Sequence, residues 1–126
     1  MKILQIVEQA YRTLVEEQDD TILWLTQSME GAGANLEVLL SGSAVYYAVL
    51  KQRQPAIVIG SWVQQEPADI PGDLGRILAQ GIPVYVLDEE LAERGLHAGM
   101  LRQRVQMIDR KRLAVLYNQA DQVWQW

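Results

Sequence analysis

Short apolar runs recur along this chain, and most are followed by a segment with helical spacing. Residues 2–7 (Lys-Ile-Leu-Gln-Ile-Val), 36–40, 56–60 (Ala-Ile-Val-Ile-Gly), 82–87 and 105–108 read as strands. The run 56–60 is nearly all apolar, as in strands buried on both faces of a parallel sheet. The first helix is expected to start at Asp19-Asp20-Thr21 and stop at Gly31-Ala32-Gly33. Its inward stripe is Ile22, Leu25 and Met29, broadened by Leu23 and Trp24. A second, capped by Ser43, runs through Val45, Tyr46, Val49 and Leu50 and is closed by Pro55. A third covers 72–80 with Leu74, Ile77 and Leu78 inward and Gly81 after it. Residues 88–94 form a short helix ended by Gly95. Asp109 caps a last helix over 110–119, with Leu113, Leu116 and Tyr117 on its apolar face. Stretches 8–20 and 61–71 read as mostly loop, the latter with Pro67 and Pro71, and 122–126 as a last strand or a packed tail. Strands alternating with helices across short connections predict an α/β fold. It is a three-layer α/β/α sandwich with a five-stranded, largely parallel sheet, in a single domain over 1–126.

Composition removes several function classes. The 126 residues carry a net charge of −5, which argues against nonspecific binding to nucleic acid or an anionic membrane. With no cysteine, disulfides, thiolate metal sites and a thiol nucleophile are excluded. One histidine, His97, leaves no multi-histidine metal site, so no metal and no cofactor are expected. No apolar run reaches 18 residues, and a cytoplasmic location is the expectation.

In an open parallel sheet, ligands bind beyond the carboxyl ends of the strands. The candidate ligand-binding residues are therefore Gln9, Ser41, Gly42, Ser43, Trp62 and Asp88, which would converge on a polar pocket with an indole wall. Ser41-Gly42-Ser43 precedes a helix and could hold a small anion or a nucleotide phosphate. Asp88-Glu89-Glu90 offers acid/base groups, but first-turn carboxylates also serve the helix dipole. His97 sits in a glycine-flanked loop with no evident partner. No pair of these groups has a spacing diagnostic of catalysis. Residues 94–112 hold six basic side chains and one acidic one, a net +5 in an acidic chain. That stretch suits docking to an acidic surface, on another protein or a second copy. The aromatic residues are four Trp and five Tyr with no Phe, a choice suited to half-buried interface positions. Tyr46, Tyr47, Arg102, Arg104, Trp124 and Trp126 are the interface candidates.

Three blocks carry a family likeness. They are Lys2-Ile3-Leu4-Gln5-Ile6-Val7, then Leu36-Glu37-Val38-Leu39-Leu40-Ser41-Gly42-Ser43-Ala44-Val45, then Val84-Tyr85-Val86-Leu87 with Leu91-Ala92-Glu93-Arg94-Gly95-Leu96. In this order the chain resembles the small DsrE/DsrF/DsrH-like (TusB/C/D-like) proteins of sulfur relay. The resemblance implies an α/β/α sandwich and a homo-oligomer, trimer or hexamer, or a hetero-oligomer with DsrE-like sister subunits. It also implies a persulfide-carrying cysteine at Leu87 in DsrE-type carriers, or near Thr26 in DsrH-type ones. Neither position holds a thiol here. The expected role is a non-catalytic scaffold or binding subunit, with a strand-end anion or nucleotide site as the alternative.

Overall fold

The computed structural model describes residues 1–10, 21–50, 56, 58–65 and 69–126. Strands β1 (Lys2–Val7), β2 (Asn35–Leu40), β5 (Val84–Leu87), β6 (Gln106–Ile108) and β7 (Gln122–Gln125) form one sheet in the order β6-β5-β2-β1-β7. Every pairing in it is parallel. Helices α1 (Thr21–Gly31), α2 (Ile70–Ala79), α3 (Asp88–Glu93) and α4 (Arg110–Gln119) connect the strands, with 3-10 helices at Gly42–Ala48 and Ala98–Met100. The expected fold class is present.

The order of the strands explains where the helices lie. From β1 through β2 and β5 to β6 the chain moves one way across the sheet. The step to β7 carries it back past β1. Parallel crossovers keep one hand, so reversing the direction reverses the face the helix covers. Leu23 of α1, Ile70, Leu74, Ile77 and Leu78 of α2, and Leu91 of α3 pack with Ile3, Val7, Leu36, Val38, Leu40, Val84 and Val86 on one face. On the other, α4 packs Leu116 over Leu4, Ile6, Leu39, Tyr85, Leu87 and Ile108. The alternation of strand residues between the two clusters is the period of two expected of a sheet covered on both sides.

Several expectations need correction. The run 56–60 is not a strand of the main sheet. Val58–Ile59 (β3) pairs antiparallel with Trp62–Val63 (β4) in a separate two-stranded hairpin, and all four side chains are exposed. Gly60 has φ +59° and Ser61 has no positive φ, as a type II′ turn requires. The fifth strand is instead β7, which pairs with β1 from Ile3↔Gln122 to Ile6↔Gln125. Part of 61–71 is likewise regular, as β4 and the first turn of α2. Pro71 sits in that turn, where its missing N–H costs little, and the Asp69 carboxylate caps Gly72 N. Ser43 does not cap the second helix. Its Oγ donates to Glu8 O at 3.1 Å, and the helix is a 3-10 segment ending at Ala48. In α1 Leu23 is buried and Ile22 and Met29 pack partly against the core, as the expected stripe has them, but Trp24 is exposed and the polar Thr26 is buried in its place. The Asp19-Asp20 start, most of the loop 8–20, Pro55 and Pro67 lie outside the described residues.

Candidate functional site at the carboxyl ends of the strands

β1, β2 and β5 end side by side, at Val7, Leu40 and Leu87. Beyond β1 and β2 the backbone closes tightly. Ser41 N donates to Val7 O at 2.8 Å, and a side chain on Gly42, which has φ +54°, would meet Glu8 O at 3.2 Å. Only glycine suits both demands. Ser41 Oγ donates to Glu90 Oε1 at 2.8 Å, and Gly42 N donates to Glu90 Oε2. The donors that could have held an anion are thus taken by a carboxylate of α3. Arg94 Nη1 donates to Glu90 O at 3.1 Å and ties down the same turn.

Asp88, at the end of β5, accepts from Glu89 N through Oδ1 at 2.7 Å. It lines a recess of about 370 Å³ with Met107, Ile108, Asp109 and Arg112. A neighbouring recess of about 450 Å³ is lined by Leu87, Arg110, Leu113, Ala114 and Tyr117. The Arg110 guanidinium is bound to Glu89 at 2.7 Å. Asp109 accepts from Arg112 N at 2.9 Å as the helix cap expected from the sequence.

Glu8, Ser41, Gly42, Ser43, Glu90 and Asp88 therefore gather at the strand ends. Gln9 is exposed beside Glu8. Trp62 follows no strand of the main sheet. It sits on the hairpin, which removes the basis for the indole wall. Among the interface candidates, Tyr47 is fully buried in the core and Tyr46 is exposed. Trp124 packs partly against the core, and Trp126 Nε1 donates to Gln5 Oε1 at 3.1 Å. Arg102 donates to Pro71 O through Nη1. Arg104 is exposed and is the one non-glycine with positive φ (74°) among the described residues. His97 is exposed, and its Nδ1 accepts from Gly99 N at 3.1 Å, a local cap. Thr26 Oγ1 donates to Ile22 O at 2.8 Å within α1. No group of three or more His, Cys, Asp or Glu that could hold a metal occurs among the described residues. No helix among them is long and apolar enough to cross a membrane.

Sequence reasoning named Glu90 only as one of three carboxylates in a first helical turn and missed its role as the acceptor for Ser41 and Gly42, although the signal for Glu90 was present. It stands three residues after Leu87, on the turn of α3 facing the β2 end. It also missed a polar cluster under α4. Glu37 is buried mid-sheet, with Lys2 Nζ at 3.4 Å and the Tyr85 hydroxyl at 3.5 Å. Burial pushes the Tyr85 phenol above its ordinary 10.0, and the Glu37 carboxylate adds to this while Arg112 opposes it. The fold therefore favours the neutral phenol. Its contribution to stability is complete below the unfolded value near 10 and is lost as pH rises towards the higher folded value. Tyr85→Phe is expected to flatten the alkaline loss of stability above pH 10.0 and leave neutral stability nearly unchanged. Urea titrations from neutral to alkaline pH read both effects.

No family model and no curated protein matches the chain. Solved structures do. The ychN protein from E. coli superposes with a TM-score of 0.74 at 20% identity, covering 99% of this chain and 98% of that one. A protein of unknown function, MTH1491 from Methanobacterium thermoautotrophicum, superposes with a TM-score of 0.67 at 11% identity, again over 99% and 98%. At these identities the likeness is one of fold alone.

Proposed function

We propose that this chain is a DsrE-like protein of intracellular sulfur trafficking that acts as a scaffold or binding subunit and carries no sulfur itself. The observation that carries this reading is Leu87. It ends β5 at the rim of the recess under α4, at the position where the resemblance expects the carrier cysteine. Thr26, the other such position, is a buried threonine. Neither a leucine nor a hydroxyl forms a persulfide. The fold shared with ychN supports the family side of the reading, and the cysteine-free sequence supports the non-carrier side. On this reading the working unit is a homo-oligomer or an assembly with sister subunits that supply the thiol. The exposed Tyr46, Arg104 and Trp126 are the side chains offered to that assembly.

The purified chain alone is expected to take up no sulfur from a persulfide donor, as read by intact mass; uptake or onward transfer overturns the reading. Leu87→Cys supplies the missing atom. Leu87 lines the recess, whereas Thr26 is fully buried. Leu87→Cys is therefore expected to gain sulfur from the same donor at least tenfold faster than Thr26→Cys. Equal rates would remove Leu87 as the carrier position.

A further inference from the structure

We draw no further inference here: the strongest candidate, the apolar groove that Leu113, Ala114 and Tyr117 of α4 form beside the end of β5, belongs to the Leu87 site already described, and nothing in the structure shows what covers it.

Discussion

Leu116→Ala is expected to destabilise the protein by about 3 kcal/mol, a large fraction of the stability of a domain this size. Of the ten residues of α4, Leu116 alone is fully buried. It is the helix's anchor in the cluster of Leu4, Ile6, Leu39, Tyr85, Leu87 and Ile108, with Leu113 and Ala120 packed only partly beside it. Truncation removes the transfer free energy of the side chain and leaves a cavity that a sheet hydrogen-bonded on both sides cannot close. Val115, the adjacent residue on the exposed side of the same helix, is the control. Its change to alanine should cost no more than about 0.5 kcal/mol. Urea denaturation of the three proteins decides the matter. A cost below about 1 kcal/mol for Leu116→Ala would mean that α4 is held mainly by its Asp109 cap and its ion pair to Glu89. The result bears on function because α4 supplies Arg110, Leu113, Ala114 and Tyr117 around Leu87, and Arg112 beside Asp88.

The parallel α/β architecture was legible because its signals are local. Ile3, Leu36, Val38, Val84 and Val86 lie in short runs, and Asp109, Gly81 and Gly95 punctuate the helices where the structure ends or starts them. The main error, at 56–60, has a physical cause. A short apolar run looks the same whether it is buried in a sheet or exposed on a hairpin, because periodicity cannot report burial. The local signal that separates the two was Gly60-Ser61 between apolar pairs, a dipeptide suited to a type II′ turn. Assigning a strand there left β7 as an optional tail, although Val123 and Trp124 complete the sheet beside β1. The candidate site was legible as a place and not as a set of bonds. Strand ends locate Ser41, Gly42 and Asp88, but the pairing of Glu90 with Ser41 spans 49 positions and depends on where α3 lands. Trp62 failed as a site residue because it depended on the misassigned strand.

Glu90→Ala is expected to cost about 2 kcal/mol, whereas Glu89→Ala next to it should cost no more than about 0.5 kcal/mol. The two changes remove the same charge from the same short helix. They differ in what the carboxylates touch. Glu89 meets Arg110 at the surface, where solvent screens the pair. Glu90 receives two charge-assisted hydrogen bonds, from Ser41 Oγ and from Gly42 N, at a partly buried corner where α3 meets the end of β2. Without it both donors lose their partner, and the segment that Gly42 brings against Glu8 O loses its clamp. Matched denaturation curves for the two variants give the comparison, and equal costs would show that Glu90 acts only on the helix dipole. The same number bears on ligand binding. Any anion that uses Ser41 and Gly42 must first displace Glu90, and about 2 kcal/mol of clamp lowers its apparent affinity roughly thirtyfold. The donors anticipated for a ligand thus act in this chain as the receptor for its own side chain, which is why the strand-end anion site is the weaker reading and the Leu87 recess the stronger one.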